Sequence, residues 1–195
     1  MSMNHLSGNP TYQALDATES QTRHQILLLR DRIEAALTAT NSTCRLDEIP
    51  VNIGLRAACD GDFAFARKVY FETMRWIIER LFGWDEGRED KNFAQFFKLD
   101  EVRIITADEQ DVGWIQEQVE DTTINLGSFY VTPLMQRQGV GTQVLQILLA
   151  HATNQAKAIT LAVVKINPAV QFYEKHGFRI THEDEHKFYM RADPR

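Results

Sequence analysis

Two short segments carry residues whose types and spacing invite chemistry. In Gln136-Arg137-Gln138-Gly139-Val140-Gly141-Thr142, two glycines stand where an apolar strand pattern gives way to an amphipathic helix pattern. A helix start leaves its first N–H groups without carbonyl partners, and the aligned peptide dipoles place about half a positive charge there. Glycine removes the Cβ that would keep a bulky anion away from the backbone. The segment therefore suits a phosphate group, with Arg137 either a cation at its rim or a solvated side chain. No Gly-Lys-Ser/Thr follows, which excludes a Walker loop, and residue 144 is Val where the dinucleotide fingerprint needs a third glycine. A tight strand–helix connection with no ligand explains the same letters, so the loop alone leaves both readings open.

The second segment, Leu81-Phe82-Gly83-Trp84-Asp85-Glu86, sets an indole beside two carboxylates after a glycine break. An aromatic face with acids suits an ammonium group; a capped helix end with solvated acids explains it equally. His182 and His186 are spaced i,i+4 but lie in a strand-and-turn pattern without a third ligand, so no metal site is expected. Cys44 and Cys59 make neither metal-ligand spacing nor a disulfide framework, and the simplest compartment is the reducing cytoplasm.

These residues need a scaffold, and the periodicities supply one. Residues 1–17 are polar and turn-rich. Ile26, Leu29, Ile33, Ala36 and Leu37 recur at helical spacing, predicting an amphipathic helix over about 19–38. It either packs on the main domain or makes a homodimer contact. Thr40–Thr43 reads as a linker, dividing an extension (1–48) from a main domain (49–195). Val51, Ile53, Leu55 and Ala57 alternate as in a strand, and Asp60 is placed to cap a helix from about Gly61. Phe63, Ala66, Val69, Tyr70, Met74, Ile77, Ile78 and Leu81 give that helix a broad apolar face, which Gly83 closes. Lys91–Leu99 reads as a short helix. Val102–Ala107 and Val112–Val119 flank a polar turn at 108–111, and Thr123–Val131 is a third run. Gly139–Ala156 reads as a helix. The wholly apolar Ile159–Val164 suggests a strand buried on both faces. Pro168–His176 reads as a helix with proline in its first turn, before strands at Phe178–Thr181 and Lys187–Arg191. The order predicts an α/β (α+β) layer with a mixed sheet.

Composition bounds the rest. The 195 residues, 44% hydrophobic and 25% charged, suit a soluble globular domain. A formal charge of −6 argues against a nucleic-acid binder. No apolar run approaches the roughly 20 residues of a membrane span. The first five residues lack a basic segment followed by an apolar one, so no signal peptide is expected.

Leu161 through Phe178 resembles the C-terminal cofactor motif of the GNAT acetyltransferase superfamily. The matching pattern is a strand, Asn167-Pro168, and a helix carrying Phe172-Tyr173-Glu174-Lys175 closed by Gly177-Phe178. Tyr130-Val131-Thr132-Pro133 through Thr142 is similar to the family's Q/R-x-x-G-x-G/A pyrophosphate motif, and Leu55–Ala58 with Asp60 to its first strand and helix. The resemblance covers about residues 51–191 and resolves the ambiguity of the loop. It implies a mostly antiparallel twisted sheet, helices on both faces, and two splayed central parallel strands, here Thr123–Val131 and Ile159–Val164. It implies acetyl-CoA as co-substrate, no metal, and a primary amine as acceptor. Phe129, Tyr130 and Val131 would line the pantetheine arm as an added strand does. Arg137, Gln138, Gly139, Val140, Gly141 and Thr142 would wrap the pyrophosphate, and Asn167 would contact the arm. Tyr173 matches the tyrosine that serves as general acid to the CoA thiolate. The glutamate that some relatives use as base is replaced by Ala162, which leaves Glu117, Glu120 or an ordered water for that role. This departure also keeps alive a non-catalytic acyl-CoA-binding or sensing module. The acceptor pocket would draw on Phe71, Arg75, Trp76, Glu79, Trp84, Asp85 and Glu86.

Overall fold

The computed structural model describes residues 51–195; the predicted helix over 19–38 and the extension it belongs to lie outside the described residues. Seven strands form one sheet: β1 (Ile53–Ala57), β2 (Val102–Ala107), β3 (Gln110–Val119), β4 (Thr123–Val131), β5 (Ala158–Val164), β6 (Arg179–Glu183) and β7 (Lys187–Ala192). Their spatial order is β1-β2-β3-β4-β5-β7-β6, and every neighbouring pair is antiparallel except β4 and β5. Four α-helices cover the two faces: α1 (Phe63–Phe82), α2 (Glu86–Phe96), α3 (Val140–Asn154) and α4 (Ala169–Lys175).

Strand alternation sorts the core. Val102, Ile104 and Trp114 turn toward Ala66, Val69, Tyr70 and Phe93 of α1 and α2. Ile105, Ile115, Ile124, Leu126, Leu161 and Val163 turn the other way, onto Val144, Leu145 and Leu148 of α3 and Tyr173 of α4. Trp114 is fully buried, and its indole N–H donates to Ala66 O at 3.0 Å, which fixes α1 against the sheet without an unpaired donor. A side chain at Gly113 would run into the carbonyl of Tyr130, so this close β3–β4 approach requires glycine.

Several boundaries differ from the sequence expectation, each for a local reason. Residues Asp60–Asp62 form a 3₁₀ turn and α1 starts at Phe63. Asp62, not Asp60, supplies the stabilising carboxylate, accepting Cys59 N–H at 2.8 Å. Helix α2 begins at Glu86, five residues before the expected start. Its first turn is polar and carries Gly87, so no apolar period announces it, but the Asp85 carboxylate accepts Arg88 N–H at 2.7 Å and starts the helix. The β2–β3 turn is tighter than predicted, with Asp108 and Glu109 both at positive φ, 48° and 68°, as a two-residue hairpin with right-handed strand twist demands. Strand β5 is not buried on both faces: Ile159, Leu161 and Val163 are buried while Ala162 is exposed. Its second face borders a cleft. No helix among the described residues is long and apolar enough to cross a membrane.

Candidate active site

The one parallel pair in the sheet is incomplete. Thr123, Ile124 and Asn125 of β4 pair with Ala158, Ile159 and Thr160 of β5, and pairing across that seam ends there. Each strand stays bonded on its outer side, β4 to β3 as far as Val131 and β5 to β7 as far as Val164. The strands therefore splay, and Leu126–Val131 and Leu161–Val164 border a cleft of about 480 Å³. Small-molecule sites typically span about 300–1,000 Å³, so the volume suits an extended guest. Thr73, Met74, Trp76 and Ile77 of α1 form one wall, and the start of α3 with Phe172 and Tyr173 of α4 contributes the other.

At the α3 end the chain is shaped for an anion. Gln136 folds back to donate its side-chain amide to Val131 O at 2.9 Å, and Gln138 does the same to Leu134 O at 2.6 Å. Arg137 (φ 61°) and Gly139 (φ 85°) adopt left-handed backbone, and Gly139 directly precedes the helix. Gln143 N–H closes onto Gly139 O at 3.0 Å. Helix geometry therefore leaves the N–H groups of Val140, Gly141 and Thr142 without an i−4 carbonyl. A Cβ at Gly139 would meet no atom within 4 Å, so that face of the loop is open.

Of the residues singled out from sequence, Phe129, Tyr130, Val131, Arg137, Gly139, Gly141, Thr142, Asn167 and Tyr173 all border this cleft. Gln138 and Val140 do not. The Gln138 side chain is spent on Leu134, and the Val140 side chain is in the core at 1% exposure, leaving only its N–H for a ligand. Asn167 has a structural task as well: its Oδ1 accepts the N–H of Ala169, the first residue of α4, at 2.9 Å. The residue itself borders the cleft.

Tyr173 sits between Phe172 and Phe178, at ring distances of 5.4 and 5.5 Å, and its hydroxyl has no protein partner among the described residues. Burial pushes its pKa well above that of an ordinary phenol, with Tyr130 adding to the effect. Tyr130 is pushed up to about 12, again by burial, while a hydrogen bond with the Ser128 side chain pulls the other way. The Tyr130 ring is wedged against Trp114 (5.0 Å) and Tyr70 (5.6 Å). Tyr70 in turn points its hydroxyl at the buried carboxylate of Glu89, 3.4 Å away. A tyrosine cluster thus runs from the cleft back into the α1–α2 layer.

The acidic and aromatic residues predicted for the acceptor are mostly committed elsewhere. Trp76 alone of that set borders the cleft. Phe71 and Trp84 stack edge to face at 5.0 Å, and the protein's own cations cover them, Arg67 over Phe71 and Arg75 over Trp84. Asp85 caps α2, and Glu86 faces Arg67 at 3.4 Å. The geometry of that segment is that of a capped helix end. Glu117 is paired with Arg103, and Glu120 accepts from the Thr123 hydroxyl at 2.7 Å; neither borders the cleft. The His182 ring stacks on Tyr189, and among the described residues no group of three side chains could hold a metal ion. Sequence reasoning missed Thr73 and Ser128 as cleft residues. The wall on α1 was foreshadowed by the spacing of Tyr70, Met74 and Ile77 along one helical face.

A family model for the acetyltransferase (GNAT) domain matches residues 84–190, more than half of the chain. Among solved structures, a PaiA N-acetyltransferase from Thermoplasma acidophilum in complex with coenzyme A superposes with a TM-score of 0.63 at 18% identity. That match covers 73% of this chain and 99% of the other. The ribosomal-protein-S18-alanine N-acetyltransferase from Escherichia coli gives 0.55 at 18%, over 73% and 94%. Naa50 of Arabidopsis thaliana, in complex with a bisubstrate analogue, gives 0.52 at 17%, over 73% and 99%. At such identities the structural likeness is one of fold. No curated protein sequence matches significantly. The chain belongs to the GNAT acetyltransferase family and is an acyl-CoA N-acyltransferase.

Proposed function

We propose that this protein transfers the acetyl group of acetyl-CoA directly onto a primary amine, with Tyr173 as the proton donor to the CoA sulfur. The observation that carries this reading is the split between β4 and β5, with a free phenol at its side and an open helix start at its end. The unpaired inner edge of β4, residues 126–131, offers backbone groups to an extended amide-bearing arm. The N–H groups of Val140, Gly141 and Thr142, with Arg137 at the rim, suit a pyrophosphate. Those features together fit coenzyme A, whose thioester supplies the activated acetyl group.

The remaining chemistry falls to the chain. The cleft holds the amine against the thioester carbonyl, and orientation alone is worth effective molarities on the order of 10⁵ M or more. The amine nitrogen bonds to the carbonyl carbon, the carbon–sulfur bond breaks, and the sulfur leaves with the electron pair. A β4 backbone N–H near Phe129 or Tyr130 stabilises the oxyanion. Tyr173, kept protonated through the neutral range by burial, donates its hydrogen to the developing thiolate. An ordinary thiol has a pKa of about 8.5, below that of this phenol, so the proton is shared rather than released outright. The proton shed by the new amide nitrogen passes to water, and water returns one to the Tyr173–thiolate pair, so the step ends with the amide, the free CoA thiol and a protonated Tyr173.

Thiol release across an amine panel, with calorimetry of CoA binding beside it, tests the proposal. Acetylated product with at least one amine is the expected result. CoA binding without product from any amine would instead make the protein an acyl-CoA-binding module.

A further inference from the structure

The wall of the cleft contributed by α1 says what kind of amine belongs there. Tyr70, Thr73, Met74 and Ile77 recur at one-turn intervals on the face of α1 turned to β4, and Tyr70 meets Tyr130 at 5.6 Å. Beyond that contact, Thr73, Met74, Trp76 and Ile77 border the cleft. Trp76 is 46% exposed and has no ring partner among the described residues, so its indole is free to receive a guest. Phe129, Phe172 and Tyr173 border the same cleft. The charged side chain bordering the cleft, among the described residues, is Arg137, a cation on the loop before α3. The adjoining aromatic faces that would attract an ammonium already hold Arg67 and Arg75.

From this arrangement we infer that the acceptor is a weakly basic primary amine carried on an apolar group, with Trp76 as its specificity-determining contact. The inference rests on the acyl-transfer reading above. An ammonium entering beside Met74, Trp76 and Ile77 loses hydration and meets no carboxylate among the described residues that border the cleft, which favours the neutral form. The neutral form is also the one that reacts. At pH 7.5 an α-amino group, with an ordinary pKa of about 7.7–8.0, is roughly one third neutral, whereas a lysine side chain at about 10.4 is neutral on the order of one molecule in 10³. A site that does not attract ammonium therefore separates these amines by a factor on the order of 10² before any contact is counted. The apolar group then rests on Trp76 and Met74. Two sources share this chemistry: the free α-amine of a peptide that begins with an apolar residue, and a small arylamine.

The test uses the full chain with acetyl-CoA and four acceptors: a Met-leading peptide without lysine, an N-terminally blocked peptide with one lysine, 4-methylaniline, and spermidine. A kcat/KM for the first or third acceptor exceeding those of lysine and spermidine by about 10²-fold is expected. Turnover of the peptide alone names a peptide source, and turnover of the arylamine alone names a small molecule. For the favoured acceptor, kcat/KM should rise with pH at unit slope and level at that amine's own pKa. Trp76→Ala should raise its KM at least about fivefold, corresponding to about 1 kcal/mol of lost contact. It should leave kcat and CoA affinity nearly unchanged, the latter reporting an intact fold. Equal or better use of spermidine or lysine overturns the inference, as does an unchanged KM in Trp76→Ala. Failure of the wild type to bind CoA would remove the acyl-transfer reading itself, which separates the two failures.

Discussion

Arg56 grips Asp62 through two parallel hydrogen bonds, Nη1 to Oδ2 and Nη2 to Oδ1, each 2.8 Å long. The same guanidinium reaches Asp111 through Nε at 3.0 Å and Nη2 at 2.6 Å. One side chain thus ties β1, β3 and the entry to α1, the helix that walls the cleft. Bidentate geometry of this kind is the strong form of a charge-assisted hydrogen bond.

Asp62→Asn should therefore lower stability by about 1–2 kcal/mol, read as a shift in urea midpoint; the side chain is 9% exposed but its partner is 39% exposed, which tempers the loss. The Arg56 hydrogen bonds hold the Asp62 carboxyl well below the usual carboxylate range. A depressed folded-state pKa stabilises above the unfolded value, about 3.9, and that contribution fades as pH falls further. The variant should accordingly lose less stability than the wild type between about pH 4 and pH 2. Identical acid profiles would contradict the assignment.

Tyr173→Phe should reduce kcat by about 10²-fold, the lower range for a lost proton donor, with CoA affinity within about threefold. The ring contacts with Phe172 and Phe178 survive the change, so thermal stability should hold. A rate equal to wild type would leave Tyr173 a packing residue.

The two glycines of the anion loop should fail differently. Gly139→Ala meets no neighbouring atom, but forces an L-residue into left-handed backbone at φ 85°, costing about 1–2 kcal/mol of stability. Gly141→Asp puts Cβ 3.6 Å from the Phe172 ring, an ordinary contact, so the fold should tolerate it. Its carboxylate would confront the pyrophosphate and weaken CoA binding by at least about 30-fold, or about 2 kcal/mol. Calorimetry showing unchanged affinity would move the pyrophosphate elsewhere.

Alkaline pH should expose the buried phenols. Burial raises Tyr70, Tyr130 and Tyr173 above the ordinary phenol value of about 10. Groups raised in the folded state stabilise fully below the unfolded pKa, and that contribution is lost as pH climbs through the folded values. Melting temperature should thus fall above about pH 10, and tyrosinate absorbance should lag until unfolding. Simple titration of all five tyrosines near pH 10 would contradict this.

Legibility from sequence followed the physics of each element. Strand β4 (Thr123–Val131) was read to the residue because its apolar run is bounded by clear turn signals. The loop at 136–142 was legible as a strand–helix junction, but its glycines fit a bare connection as well as a phosphate site, and only the resemblance carried by Leu161–Phe178 favoured the second. What stayed hidden depended on partners distant in the chain. Nothing near Asp85 or Glu86 reveals that Arg67, one helix away, would engage the second of them, or that Arg75 would cover Trp84. The apolar β5 suggested two buried faces, since a strand bordering a cleft and a strand buried in a core have the same composition. Asn167 was legible as a site position, but its Oδ1 bond to Ala169 N–H was not.

The short β4–β5 seam has a further consequence, for the company the protein keeps. A strand edge in open water recruits other strands and drives chains to aggregate. Beyond Asn125 the inner side of β4 is such an edge, but it lies in a slot between β5, α1 and the start of α3. The protein's own strand and helices thus stand around that edge, and the molecule keeps it unpaired without the usual charged or proline guards.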